Sequence, residues 1–202
     1  MQITPAAPSD LDAAIRCVVA AFERDQITGF LLGSGSSYQQ RLSQFFSLLM
    51  RARLALKMPV LVARSTDGIQ GAAMGYATAC PPWPAELAEE WDRFETAIPG
   101  LTDRMAVYDE IAEKSKPSAP HYYLGVIGTD PNRHGHGIGT QLLSSFCDRS
   151  ARDPLSSGVY LETASSSNVR FYERAGFVEV GRGSLGTATL WCMYLRHGRH
   201  DA

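Results

Sequence analysis

The sequence predicts a single α/β domain, residues 1–202, and three observations carry that expectation. The chain is 202 residues long with 45% hydrophobic and 20% charged residues, ordinary globular composition with enough apolar side chains for one sizeable core. Between Tyr122 and Thr163 a strand, a glycine-rich loop, a helix and a second strand follow one another, the order of a right-handed parallel crossover. Two further pairs of strand-like runs, one near the middle and one at the end, are each joined by a short turn, as in hairpins.

In chain order, Ser9 reads as an N-cap, with Asp10 and Asp12 in the first turn. Leu11, Ile15, Val18, Val19 and Phe22 then recur at helical spacing to about Asp25. A Gly/Ser loop, Gly29 to Ser37, precedes a second helix, Tyr38 to Lys57, which Pro59 stops. Val60–Arg64 and Gly71–Ala79 read as strands joined through Ser65-Thr66-Asp67-Gly68. Prolines 81, 82, 84, 99, 117 and 120 then punctuate two amphipathic helices, roughly 85–97 and 101–115. This helical insertion, about 81–120, reads either as a connector or as a lid over a pocket. A strand at 122–129, a helix at 140–152, a strand at 158–163 and a short helix at 168–175 follow. Strands at 177–183 and 187–196 close the chain.

Composition excludes several classes. Nineteen Lys and Arg against twenty-one Asp and Glu give a net charge of −2, so no basic field exists to attract nucleic acid or an anionic membrane. No apolar run is long enough for a membrane span, and the opening MQITPAAPSDLDAA lacks a basic stretch followed by an apolar one; a cytoplasmic protein is expected. Cys17, Cys80, Cys147 and Cys192 are widely spaced and read as reduced, mostly buried residues, and no Cys or His spacing resembles a metal site.

The chemistry is concentrated in Asp130-Pro-Asn-Arg-His-Gly-His-Gly-Ile-Gly-Thr140. Gly135, Gly137 and Gly139 alternate between a strand and a helix, where backbone N–H groups converge at the positive end of the helix dipole. The loop reads either as a pyrophosphate cradle or as a turn that the strand-to-helix geometry alone requires. It lacks the Gly-Lys-Ser/Thr of a P-loop, and its spacing does not fit the dinucleotide fingerprint.

The stretch Val126-Ile-Gly-Thr-Asp-Pro-Asn-Arg-His-Gly-His-Gly-Ile-Gly-Thr-Gln-Leu-Leu143 resembles the acetyl-CoA motif of the GCN5-related N-acetyltransferases, Gln/Arg-x-x-Gly-x-Gly/Ala after a strand. Leu161-Glu-Thr163 followed by Asn168-Val-Arg-Phe-Tyr-Glu-Arg-Ala-Gly-Phe177 is similar to that family's closing strand–helix–strand segment. The ending Thr189-Leu-Trp-Cys-Met-Tyr194 resembles the puromycin N-acetyltransferase-like branch. The likeness spans about His121 to Leu195, and it departs from the motif at His134, which stands where the family carries Gln or Arg.

The resemblance implies the family fold: a mixed, mostly antiparallel sheet of six to seven strands, with central parallel strands that splay and helices on both sides. It implies an N-acetyltransferase that moves an acetyl group from acetyl-CoA, its co-substrate, to a primary amine by direct attack in a ternary complex, with no metal. The branch favours a small-molecule amine; a protein or peptide amine, or a non-catalytic acyl-CoA-binding domain, are the alternatives. A homodimer is compatible with it. Ile127, Gly128 and Thr129 then face the pantetheine arm, with an N–H near Ile127 polarising the thioester carbonyl. His134, Gly135, His136, Gly137, Ile138, Gly139 and Thr140 wrap the pyrophosphate. A neutral imidazole at position 134 offers one donor, so either Arg133 turns to the phosphates or backbone N–H groups carry the binding; His134 and His136 also read as solvated loop residues.

On spacing alone Tyr172 is a core aromatic that shares a helix face with Val169; the resemblance makes it the general acid for the leaving thiolate. Glu162 reads as a base acting through water, an attractor for a cationic substrate or a solvated strand end, and it faces the cleft if Val159 and Leu161 face away. Asn168 reads as a helix N-cap or a pantetheine ligand, and His121 and Tyr123 as acceptor-pocket residues at a strand start.

Overall fold

A computed structural model describes residues 1–198. Its seven-stranded sheet comprises β1 (Gln2–Pro5), β2 (Val60–Ser65), β3 (Gly68–Tyr76), β4 (Tyr122–Thr129), β5 (Gly158–Thr163), β6 (Val178–Leu185) and β7 (Ala188–Arg196), in the order β1-β2-β3-β4-β5-β7-β6. Only β4 and β5 run parallel; every other neighbouring pair is antiparallel. The expected mixed sheet, its two hairpins and its parallel crossover are all present.

Both faces of the sheet are covered, which is why its inner strands are apolar almost throughout. Val60, Val62, Ala72 and Met74 pack beneath α1 (Leu11–Ala21), α2 (Gln26–Leu32) and α3 (Tyr38–Ala55). Leu61, Ala63 and Ala73 face the other way, beneath α6 (Ile138–Ala151), whose Ile138, Leu142 and Phe146 recur at helical spacing. The short α7 (Ser166–Arg174) lies on that second face through Tyr172.

The N-terminal third departs from the expected layout in three places. Residues 2–5 form an edge strand, although they carry no alternating pattern long enough to signal one. The first helix is preceded by a 3-10 turn at Pro8–Asp10, so Ser9 lies inside that turn and is no cap. Asp10 instead accepts the Ala7 N–H and an Arg64 N–H, both at 2.8 Å, tying the helix start to β2. The expected loop from Gly29 is helix as far as Leu32: the Asp25 carboxylate accepts the Thr28 N–H at 2.9 Å, and burial of Leu31 and Leu32 outweighs the poor helix propensity of Gly29.

The insertion forms α4 (Ala85–Thr96) and α5 (Leu101–Ser115), close to the expected bounds. Leu87, Phe94, Ile98 and Leu101 are core residues, so the insertion is an integral wall and not a detached flap. At its far end α5 lies directly on β6. A Cβ on Gly181 would fall 2.0 Å from Ser115 Oγ, and one on Gly183 would fall 2.7 Å from Ile111 Cγ1. The Tyr160 hydroxyl of β5 donates to Ala112 O at 2.8 Å and fixes the same helix from below. All four cysteines are unpaired, and Cys80, unlike the buried Cys17 and Cys192, is exposed.

These close approaches make Gly183→Leu a specific test of how α5 is held. The substitution is expected to cost about 1–3 kcal/mol through overpacking, read as a lower Tm and denaturation midpoint. Gly29→Ala, whose Cβ meets nothing within 4 Å, should leave stability unchanged or raise it by about 0.4–1 kcal/mol in the same measurement.

Candidate active site

The central strands part. Ladder pairing between β4 and β5 is confined to Tyr122↔Val159 and Tyr123↔Tyr160, although β4 continues to Thr129 and β5 to Thr163. Beyond Tyr123, the edge of β4 that faces β5 therefore carries backbone N–H and C=O groups without a strand partner. On its other edge β4 pairs with β3, but the register shifts so that Met74 meets Val126 and Gly75 meets Leu124, leaving Gly125 as an inserted residue. The insertion reverses the side-chain alternation: Tyr122 and Leu124 face α6, whereas Val126 faces α1 and α3.

The splay opens into a cleft of about 830 Å³. At one end it is lined by Ile127, Gly128 and Thr129, then by His134, Gly135 and Gly137 through Thr140. Gly135 and Gly137 have φ of +82° and +74°, values that favour glycine, and a Cβ on either would meet nothing within 4 Å. Ile138, Gly139 and Thr140 form the first turn of α6, whose N–H groups have no acceptor within the helix; the first carbonyl bonded back to the helix is Gly137 O, by Gln141. Open space, free N–H groups and the positive end of a 14-residue helix together fit a pyrophosphate.

Two side chains of this loop are engaged by protein groups, although Arg133 also borders the cleft. Arg133 Nη2 pairs with Asp67 at 2.8 Å, across to the turn between β2 and β3. The His136 ring Nδ1 lies 3.1 Å from Arg133 O and 3.0 Å from His134 O, within the loop's own backbone, and His136 does not line the cleft. His134 does line it.

At the inner end of the cleft, Val159 and Leu161 of β5 are buried against α6, and Glu162 projects from the opposite side. Tyr108 of α5 donates to Glu162 Oε2 at 2.9 Å, and the Tyr108 and Tyr123 hydroxyls lie 3.2 Å apart. Burial pushes the Glu162 carboxyl up to about 7, against hydrogen bonding from the Tyr108–Tyr123 pair that favours its charged form. Burial also raises Tyr108 and Tyr123 well above the usual phenol range, so they remain neutral donors.

Tyr172 lines the same cleft from α7, flanked by Phe171 and Phe177, with ring centroids 5.2 and 5.6 Å away. Burial raises its phenol, and the nearby Asp25 carboxylate adds to the effect. Asn168 lines the cleft as well, but it does not cap its helix: Ser165 does, accepting the Asn168 N–H. Tyr123 is in the cleft; His121 is not, being held by Ala119 O and stacked edge-on against Tyr160. Asp25, Arg53 and Tyr108 are cleft residues that the sequence reading did not single out. Asp25 and Tyr108 lie in segments read only for helical periodicity, and Arg53 resembles any basic residue of a last helical turn. Among the described residues no group of His, Cys, Asp or Glu is arranged to hold a metal ion, and no helix is long and apolar enough to cross a membrane.

Residues 102–179 match the family model described as an acetyltransferase (GNAT) domain. The whole chain is similar in fold to a crystal structure from Corynebacterium glutamicum described as histone acetyltransferase HPA2 and related acetyltransferase. That likeness has 22% identity and a TM-score of 0.75, covering 100% of this chain and 98% of the other. A ribosomal-protein-alanine N-acetyltransferase from Brucella melitensis is similar at 16% identity and a TM-score of 0.59, over 98% of this chain and 100% of that one. An N-acetyltransferase from Staphylococcus aureus is similar at 14% identity and a TM-score of 0.57, over 96% and 100%. The family match thus lies over residues 102–179, and the whole chain shares the fold of these acetyltransferases; these matches do not single out the puromycin-like branch.

Glu162 makes stability depend on pH. The folded chain holds its proton up to about pH 7, whereas the ordinary carboxyl releases it near 4.5, so stability falls as pH rises between those values. Glu162→Gln removes the buried charge and keeps a hydrogen-bonding group. Its Tm should match the wild type at pH 4.5 and exceed it at pH 8, by on the order of 2–3 kcal/mol in chemical denaturation.

Proposed function

We propose that this chain transfers an acetyl group from acetyl-CoA to the primary amine of a small molecule, by direct attack with both substrates bound. The observation that carries the reading is the placement of Glu162: a carboxyl with a pKa near 7 at the inner end of a cleft whose other end is a backbone anion cradle. The wall formed by α4 and α5 supports a small acceptor, because Trp83, Trp91 and Met105 enclose the side where an extended chain would have to lie.

Acetyl-CoA, when bound, supplies the acetyl group as a thioester and leaves as the free thiol. The N–H groups of Gly137 to Thr140 and the α6 dipole hold its pyrophosphate, with His134 at the rim, while His136 and Arg133 brace the loop. The unpaired edge of β4 around Ile127, Gly128 and Thr129 takes the pantetheine arm as a strand would be taken, and Asn168 offers an amide from the facing helix. A backbone N–H on the same edge, near the Gly125 bulge, meets charge developing on the thioester carbonyl oxygen.

Glu162 accepts a proton from the incoming ammonium, so that the neutral nitrogen attacks as its bond to carbon forms. The Tyr172 hydroxyl gives its proton to the sulfur as the carbon–sulfur bond breaks, and the second proton that the nitrogen sheds as the amide forms restores the phenol through water, while the proton on Glu162 leaves to solvent. A base with a pKa near 7 is matched to this task at neutral pH. Tyr108, backed by Tyr123, holds the carboxylate in place and stabilises its charged form.

Titration calorimetry with acetyl-CoA and CoA tests the donor side. Micromolar binding is expected, and Gly137→Glu should abolish it by setting a carboxylate in the cradle at a strained φ. On the acceptor side, Tyr172→Phe should lower kcat by about 10²–10⁴-fold with acetyl-CoA affinity retained; an unchanged kcat removes Tyr172 as the acid. The acid limb of kcat/KM near pH 7 should disappear in Glu162→Gln. Turnover of peptides with free N-termini, and of no small amine, would replace the small-molecule reading.

A further inference from the structure

Arg53 is a buried cation without a counter-ion. It is 4% exposed, and among the described residues no carboxylate lies within ion-pair distance of it. Its Nη1 donates to Leu49 O at 3.0 Å in its own helix, and its guanidinium carbon stands 4.6 Å from the centre of the Tyr76 ring. The carbonyl end of α3 and the ring face supply partial negative charge, but no ion. Its Nε is buried and has no hydrogen-bond partner. Nη2 stands 3.4 Å from the point a Cβ on Gly125 would occupy, beside the inserted residue of β4. Nε and Nη2 form one edge of the guanidinium; Nε is closed off from solvent, and Nη2, the accessible end of that fork, has no protein acceptor, so it can donate to a carboxylate oxygen in the cleft.

The position of this fork relative to Glu162 gives it meaning. Tyr123 Cε1 lies 3.0 Å from the same point beside Gly125, and the Tyr123 hydroxyl belongs to the cluster around Glu162. A cation and a base therefore stand on either side of one tyrosine ring, both on the cleft wall. Phe45, Trp83 and Trp91 form an aromatic surface on that wall, with ring centroids 5.9 Å apart for Phe45–Trp91 and 5.4 Å for Trp83–Trp91. Desolvating a guanidinium is costly unless an anion compensates it. Here the only place from which that anion can come is the cleft.

We infer that the acceptor is an amino carboxylate with an apolar or aromatic body: its amine meets Glu162, its carboxylate accepts from Nη2 of Arg53, and its side chain lies on Phe45, Trp83 and Trp91. This inference names the substrate class of the acyl transfer proposed above and rests on it. Acetylation removes the amine's charge and leaves the carboxylate's, so the product keeps its contact with Arg53 and loses its attraction to Glu162.

Rates of CoA release from acetyl-CoA, measured on pairs of amines that differ only in the carboxylate, test the inference. Suitable pairs are phenylalanine and phenethylamine, tryptophan and tryptamine, and leucine and isopentylamine. The wild type should prefer the acid of a pair by about 10- to 100-fold in kcat/KM. The preference should collapse towards parity in Arg53→Met and persist in part in Arg53→Lys, which keeps the charge and loses the fork. Equal or faster turnover of the decarboxylated amines by the wild type, or a preference unchanged in Arg53→Met, overturns the inference. Indole-3-acetate supplies a readout that needs no turnover: it should raise the Tm of the wild type and not that of Arg53→Met, and an equal shift or none in both proteins overturns the inference as well. A chain that binds acetyl-CoA yet shows neither the preference nor the shift loses this inference alone. A chain with the Arg53-dependent shift and no acetyl-CoA binding loses the acyl-transfer reading and keeps the carboxylate site.

Discussion

One inserted residue in β4 governs the rest of the molecule. Gly125 has no partner on β3, and its presence turns Val126 towards α1 and α3 when the preceding alternation would have sent it towards α6. A strand that changes face midway cannot keep pairing with its straight parallel neighbour, and the β4–β5 ladder ends two residues earlier, at Tyr123. Cleft, free strand edge and crossover loop all lie beyond that break. Glycine is needed at the break for a steric reason: Tyr123 and Arg53 crowd the space that a side chain at 125 would take.

The inner end of the cleft concentrates charge where water is scarce, and the surrounding structure answers in two ways. Around Glu162, hydroxyls arrive from two elements, Tyr108 from α5 and Tyr123 from β4, while Tyr160 of β5 ties α5 down through Ala112 O. Donors from separate elements tie the sheet to the insertion, so that the carboxyl's environment depends on how α5 sits on Gly181 and Gly183, well away from the cleft. Around Arg53, an aromatic face and a helix carbonyl soften the burial without neutralising the charge. The carboxyl finds its donors within the protein, whereas the guanidinium keeps a buried Nε without an acceptor.

Much of this was legible in the chain itself. The glycines at 135, 137 and 139, the crossover from Tyr122 to Thr163 and the alternation that sets Glu162 opposite Val159 and Leu161 are local patterns, and local patterns survive folding. The β1 strand, the second helix and the caps at Asp25 and Ser165 were not legible, because burial and tertiary hydrogen bonds decided them against weak local signals. The same holds for Arg53 and Tyr108. Neither residue belongs to a motif, and each gains its place from packing between segments more than fifty residues apart in sequence, as the Tyr108–Glu162 bond illustrates. Arg133 borders the cleft as its position beside the loop suggested, and its pairing with Asp67 on the turn between β2 and β3 had no local signal.

The loop and the acceptor wall are built from different materials, and this bears on how such a chain can diverge. On the proposed reading the donor is held by main-chain N–H groups, which do not depend on the side chains at 134 and 136, while Gly135 and Gly137 supply the positive φ that shapes the loop. The acceptor wall is made of side chains, and Tyr76, Trp83, Trp91 and Tyr108 of it fall in one contiguous stretch. On the same reading, a chain with that stretch exchanged would present a different acceptor surface beside an unaltered donor loop.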